Sequence, residues 1–321
     1  MKRHICAVRS VPLHLLCFLL YSIGASASSI QIAGPEGPLT AELIGVDGAA
    51  HAVVIIPGSG PIDRDGNAPT MGLDTDLYRL LAEGLAAEGI ASLRIDKRGF
   101  FSSQAAIADP NDVSIAAYAQ DARDWVARAA EVAPCVWLVG HSEGGLVALV
   151  AAEAPPASLC GVILMATAGR PIGALMREQL RAVPSNAELM PEIDATIATL
   201  EAGRKRDPET LPQALRGLFA PGVQNYMIDL FSHDPLAIAG AWTGPALIIQ
   251  GSADVQVSVR DADLLAEALP QARRVDLAGA THMFKSDVPG QAFLTYTDPS
   301  RPLHPELVPT ITTFLASAQQ P

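Results

Sequence analysis

Short, almost unbroken apolar runs alternate along this chain with longer stretches in which apolar residues recur every three or four positions. The first pattern marks strands buried on both faces. The second marks helices with one buried face, so the alternation predicts a mostly parallel central sheet flanked by helices. Leu39–Val46 reads as an early strand, preceded by a short one over Ile30–Ala33, and Val53–Ile56 as a buried strand ended by Pro57-Gly58. A helix is expected over Asp74–Gly89, with Leu77, Leu80, Leu81 and Leu85 on one face, Asp74 as its cap and Gly89 as its stop. Strands Ala91–Ile95, Val136–Val139 and Val162–Met165 follow, separated by helices Ser114–Val132 and Glu143–Ala152. The rhythm then breaks. Residues 170–241 carry helical stretches and no strand, which predicts a helical cap inserted into the α/β frame. A strand at Ala246–Gln250, a helix at Asp261–Leu269, a strand at Arg273–Leu277 and a last helix from Pro305 to Ala318 restore it.

The N-terminus has a different character. Lys2, Arg3 and Arg9 precede an apolar run from Val11 to Ile23, and Ala25-Ser26-Ala27 follows as a small-x-small cleavage pattern. The run is short for a bilayer span, so residues 1–27 read as a cleaved export signal and not as a stable membrane anchor. A lipoprotein signal centred on Cys17 fits poorly, because bulky Leu16 precedes it. Removing residues 1–27 takes three of the 22 basic residues and none of the 34 acidic ones, so the net charge moves from −12 to −15. That sign excludes a nucleic-acid binder that works by neutralising phosphates. At 49% hydrophobic and 17% charged residues, the 321-residue chain is neither disordered nor fibrous. Of its four cysteines, Cys135 and Cys160 remain after cleavage, in a compartment, periplasmic or extracellular, that favours disulfides.

The chemistry is carried by Gly140-His141-Ser142-Glu143-Gly144, a G-x-S-x-G directly after an expected strand and directly before an expected helix. A sharp strand-to-helix turn presents Ser142 in a strained conformation with its hydroxyl exposed and a helix N-terminus behind it. A serine needs a base. Five histidines follow residue 27. His51 precedes its strand and so lies at the wrong end of a parallel sheet; His141 adjoins Ser142 and points elsewhere; His233 lies in the cap. His304, ahead of the last helix, is expected at the surface. His282 remains, in the loop after the last strand, at the C-terminal edge where open α/β sheets bind ligands. Asp254, after Ala246–Gln250, reaches the same edge and can orient the base. Asp229 and Asp234 are the rival acids, both in the cap. Asp63, Asp65 and Asn67 alternate like the start of a calcium loop, but Ala68 stands where glycine is required, so no metal is expected. No nucleotide, zinc or redox-cofactor motif occurs, and no cofactor is implied.

These features together resemble the α/β-hydrolase superfamily over roughly residues 50–318. The loop Pro57-Gly58-Ser59-Gly60-Pro61-Ile62-Asp63-Arg64-Asp65-Gly66-Asn67 is similar to the P-G-S-G-P-x-D-R-D-G-N loop of a group of bacterial secreted serine esterases. Asp96-Lys97-Arg98-Gly99 resembles the superfamily's D-x-R-G turn, and departs from it where Phe101 replaces the second glycine of R-G-x-G-x-S. The resemblance implies an α/β-hydrolase domain over 28–321 with a Ser142–Asp254–His282 triad. It also implies an oxyanion hole of two backbone N–H groups, from Glu143 and from Ser59, with Gly60 as second choice. Asp63, Arg64 and Asp65 are expected to pair among themselves and shape that loop. The implied activity is hydrolysis of small carboxylic esters through an acyl-enzyme. Alternatives are an aminopeptidase-like serine peptidase, a thioesterase or lactonase and, less in keeping with an intact triad, a non-catalytic binding protein. Cap residues such as Leu218, Phe219, Met227, Ile228 and Phe231 line a pocket or simply pack. The superfamily's strand order makes the strands that follow Cys135 and Cys160 parallel neighbours, so the pair is in reach of a disulfide.

Overall fold

The apolar runs come together in one eight-stranded sheet. The structure is a computed structural model that describes residues 25–291 and 293–318. The strands are β1 (Ala25–Ile32), β2 (Leu39–Val46), β3 (His51–Ile56), β4 (Ala91–Ile95), β5 (Cys135–His141), β6 (Leu159–Met165), β7 (Ala246–Gly251) and β8 (Arg273–Leu277). Their spatial order is β1-β2-β4-β3-β5-β6-β7-β8. The β1–β2 and β2–β4 pairs are antiparallel and the rest of the sheet is parallel. β3, β4 and β7 are buried along their whole length. β3 and β7 carry the apolar runs this requires, while β4 buries Ser92 and Arg94, the latter paired with Glu42 and Asp65.

Helices α1 (Leu77–Ala87), α2 (Ile115–Ala129) and α3 (Glu143–Ala152) connect the first half of the sheet. In α1 the inward face is Leu77, Tyr78, Leu81, Ala82, Leu85 and Ala86. Ser114 caps α2 by accepting from the Ala117 N–H. Between β6 and β7 lie only helices: α4 (Ile172–Arg181), α5 (Met190–Glu201), α6 (Gln213–Arg216), α7 (Pro221–Phe231) and α8 (Pro235–Ala241). α9 (Val259–Ala268), α10 (Leu294–Thr297) and α11 (Leu307–Ser317) complete the chain. Among the described residues, no helix is long and apolar enough to cross a membrane.

Three expectations need correcting. The first strand is Ala25–Ile32, not Ile30–Ala33, and its residues 25–27 pair with Ile44–Val46. Most of the leader expected over residues 1–27 lies outside the described residues. α1 starts at Leu77 and is not capped by Asp74. The Asn67 side chain accepts from the N–H groups of both Thr75 and Asp76, which holds that segment out of the helix. His304 is buried, not exposed: its Nε2 donates to the Ala278 carbonyl at 3.1 Å, while its Nδ1 accepts from the Glu306 N–H.

Cys135 and Cys160 are joined by a disulfide, with their Cα atoms 5.6 Å apart. It ties the starts of β5 and β6, at the sheet end opposite the serine turn.

Candidate active site

The β5–α3 turn forces Ser142 into an unusual backbone conformation. Its φ is +55° and its ψ −120°, at the N-terminus of α3. A non-glycine residue there stores strain of order 1–3 kcal/mol, which the surrounding packing must over-determine. The glycines around it permit the approach: a Cβ on Gly140 would collide with the Gly144 carbonyl, and one on Gly144 with the Ile56 carbonyl. The Ser142 N–H is anchored on the Met165 carbonyl at 2.8 Å, so the last residue of β6 fixes the turn.

Asp254 and His282 come together at the same edge of the sheet. His282 Nδ1 lies 2.7 Å from Asp254 Oδ2, and both side chains are almost fully buried. A carboxylate can only accept, so Nδ1 carries the proton and Nε2 presents a lone pair. The other Asp254 oxygen accepts from the N–H groups of Gln256 (2.7 Å) and Val257 (3.0 Å), and Gln250 Nε2 donates to Oδ2 at 3.2 Å. Burial pushes the Asp254 carboxyl up, but His282 and these backbone donors outweigh it and leave it below its ordinary range. Ser142 Oγ and His282 Nε2 make no hydrogen bond with each other; such contacts commonly tighten only when substrate binds.

His141 links these parts. Its ring centre is 4.7 Å from that of His282, and its Nε2 donates to the His282 carbonyl at 3.0 Å. Because a carbonyl only accepts, that nitrogen is protonated and Nδ1 is bare. Nδ1 therefore accepts from the Tyr78 hydroxyl at 2.8 Å, and the same hydroxyl accepts from the Gly58 N–H at 3.1 Å. One buried chain thus runs from the Gly58 loop through α1 and the residue before Ser142 to the backbone of His282. Burial, and secondarily His282, push the His141 imidazole down to about 3, so it stays neutral.

The loop after β3 lies over the serine. A Cβ on Gly58 would stand 3.3 Å from that of Ser142. Among the described residues, neither the Ser59 N–H nor the Glu143 N–H has a protein acceptor. The acidic and basic residues of the loop do not pair among themselves as expected. Arg64 pairs with Asp96, just past β4, and Asp65 with Arg94 on β4, which also takes Glu42 from β2. Asp63 instead accepts from the N–H groups of Asp65 and Asn67. The loop is therefore stapled to the neighbouring strand, and its side-chain oxygens are spent on protein partners.

The remaining candidates lie elsewhere. His51 sits at the N-terminal end of β3, where its Nδ1 accepts from Trp137 Nε1. Asp229 accepts from the Ile115 N–H at 2.7 Å and stands 3.8 Å from His233; Asp234 caps α8. Neither acid is available to His282. In the cap, Phe219, Met227 and Phe231 are buried in the main core, and Leu218 and Ile228 pack half-buried against it. Sequence reasoning missed Tyr78, Lys97 and Gln250. Only Lys97 left a signal, as a lysine at the active edge directly after a buried strand.

The chain is similar to known hydrolases. The model of the family described as serine aminopeptidase, S33, matches residues 71–288. The esterase EstD of Thermotoga maritima is 31% identical over 220 residues, covering 68% of this chain and 50% of that protein, so the chain spans about half the length of this curated relative. Among solved structures, a thermophilic esterase from Thermogutta terrifontis superposes with a TM-score of 0.56 at 18% identity, over 92% of this chain and all of that one. Est1E from Butyrivibrio proteoclasticus, solved with ferulic acid bound, gives 0.57 at 19% identity, over 90% of this chain and 98% of that one. With an α/β-hydrolase sheet and a family model that covers the elbow and both loops beyond it, the chain belongs to the serine aminopeptidase, S33, family of the α/β-hydrolase superfamily.

Proposed function

We propose that this protein is a serine hydrolase that cleaves small carboxylic esters. Ser142 Oγ attacks the ester carbonyl while His282 Nε2 takes its proton, and Asp254 stabilises the imidazolium that forms. The tetrahedral oxyanion is held by the N–H groups of Ser59 and Glu143, at the positive end of α3. Collapse expels the alcohol, which takes the proton from His282, and leaves an acyl-Ser142. Water, deprotonated by His282, then releases the acid.

What carries this reading is the buried Asp254–His282 pair, whose tautomer leaves Nε2 free at the edge where strained Ser142 stands. The family description favours a second reading, an aminopeptidase. Capture of a substrate ammonium would need a free carboxylate beside the serine. Glu143, next in the chain, is instead engaged by Lys97 and Ser59. We therefore place esters first. The joined Cys135 and Cys160, with the expected leader, support export to the periplasm or beyond.

The test is turnover of a p-nitrophenyl ester panel against aminoacyl p-nitroanilides by the purified chain, with fluorophosphonate labelling. Ester turnover and labelling, both lost in Ser142→Ala, are expected. Anilide turnover exceeding ester turnover would favour the peptidase, and no labelling of Ser142 would end the hydrolase reading altogether.

A further inference from the structure

A buried cation grips the peptide that joins Gly58 to Ser59. Lys97 is 3% exposed, and its Nζ donates to the Gly58 carbonyl oxygen at 2.6 Å. The ammonium stands 3.5 Å from Glu143 Oε1 and 5.3 Å from the centre of the Tyr118 ring. The other Glu143 oxygen accepts from Ser59 Oγ at 2.8 Å. Gly58 is thus held at both polar groups, its N–H by Tyr78 and its C=O by Lys97.

The geometry of a peptide makes that second contact consequential. A trans peptide is planar and sends its C=O and N–H in opposite directions, and no cis bond occurs among the described residues. Fixing the Gly58 oxygen therefore fixes the direction of the Ser59 N–H, which has no protein acceptor of its own. A charge-assisted hydrogen bond at the oxygen also draws electron density from the amide nitrogen and makes that N–H a stronger donor. A lysine is an unusual choice for a buried strut. Burial pushes its ammonium below the ordinary lysine range, and Glu143 works against that.

We propose that Lys97 is a positioning residue for the reaction, which orients and polarises the Gly58–Ser59 peptide so that the Ser59 N–H binds the oxyanion, with Glu143 as the counter-charge beside it. This rests on the serine hydrolase reading. A cation that acts through an oxyanion donor does nothing for bound ester and matters only as charge develops. Its loss should fall on kcat and spare KM.

Two variants test it. Lys97→Met keeps the length of the side chain and removes the charge. Lys97→Met/Glu143→Gln removes both charges, so that no carboxylate is left buried alone if the single variant fails to fold. Removing a whole oxyanion donor costs about 10²–10³ in kcat. Loss of the group that orients one should cost about 10–10² in kcat for p-nitrophenyl acetate, with KM within about twofold. Affinity for a trifluoromethyl ketone, which mimics the tetrahedral adduct, should fall by the same factor as kcat/KM. A lysine that only fills space would leave that affinity unchanged. A folded double variant with wild-type kcat and ketone affinity overturns the role of Lys97 alone. A wild-type protein that neither turns over the ester nor labels with fluorophosphonate overturns the hydrolase reading and this proposal with it.

Discussion

Tyr78→Phe removes one oxygen from the interior and should cost far more than its size suggests. The residue is 1% exposed, and its hydroxyl donates to His141 Nδ1 at 2.8 Å while accepting from the Gly58 N–H at 3.1 Å. The tautomer leaves no other arrangement: Nε2 spends its proton on the His282 carbonyl, so Nδ1 must accept. Without the oxygen, a buried acceptor and a buried donor both lose their partner. Each orphan costs about 1–3 kcal/mol, and the vacated space is too small to add much. We expect a loss of about 2–6 kcal/mol, a large share of the 5–15 kcal/mol typical of a folded domain. Urea unfolding at pH 7, followed by the fluorescence of buried Trp125 and Trp137, measures it. The same variant loosens the Gly58 loop and the His282 backbone together, so fluorophosphonate labelling of Ser142 should slow. A stability within 0.5 kcal/mol of wild type, with an unchanged labelling rate, would refute the tautomer assignment and the chain built on it.

Four further outcomes are expected. Asp254→Asn should lower ester turnover by about 10⁴, the scale of the same change in the Ser-His-Asp template; if it stays near wild type while Asp229→Asn is inactive, the acid lies in the cap. His141 binds its proton only near pH 3 in the folded protein, against about 6.5 when unfolded. The unfolded state therefore takes up the extra proton as pH falls below about 6.5, and stability should drop by up to about 1.4 kcal/mol per pH unit from this group; urea midpoints that do not move between pH 7 and 5 would contradict it. Thiol titration of the unfolded, unreduced protein should find neither Cys135 nor Cys160 free, and Cys135→Ser/Cys160→Ser should lose roughly 3–4 kcal/mol, the chain-entropy value for a loop of this length; two free thiols in exported material would disprove the link. Phe101 adopts φ +47°, in the left-handed region that favours glycine, and is 39% exposed. Phe101→Gly should therefore relieve about 1–2 kcal/mol of backbone strain against about 0.5–1 kcal/mol of added chain entropy, a net gain of about 0–1.5 kcal/mol by thermal melting.

The parts of the site readable in the residues were those that local rules govern. β5, its glycines and α3 announce the elbow because an apolar run, a forced turn and a small-residue helix follow one another within twenty positions. That Asp254 and His282 meet was legible because each follows a strand, and strand ends in a parallel sheet share an edge. What stayed hidden depends on pairings across the sheet. Arg64 and Asp65 read as partners of their neighbours, yet β4 lies beside β3 and offers Asp96 and Arg94. His304 read as a surface residue because nothing local signals the Ala278 carbonyl it meets. Tyr78, His141 and Lys97 sit on α1, at the end of β5 and just past β4, and their convergence around Gly58 follows from how α1 and the neighbouring strands pack, which no local pattern signals.

The stretch from α4 to α7 is constrained unevenly. It leaves the frame after β6 and returns at α8, which packs against α3 and α9 as an ordinary crossover helix before β7. β6 and β7 are adjacent parallel strands, and α8 is the helix that leads directly into β7. The inserted helices pack on one another, share the main core with the frame through residues such as Phe219 and Phe231, and meet it further at Asp229 on the Ile115 N–H, Tyr226 against Tyr118, and Leu175 beside Val257. Closing a longer loop costs little more than closing a shorter one, so the length of this segment is weakly constrained, whereas its anchor points are not: Asp229 caps α2 at the Ile115 N–H, and Phe219, Met227 and Phe231 complete the core beneath it.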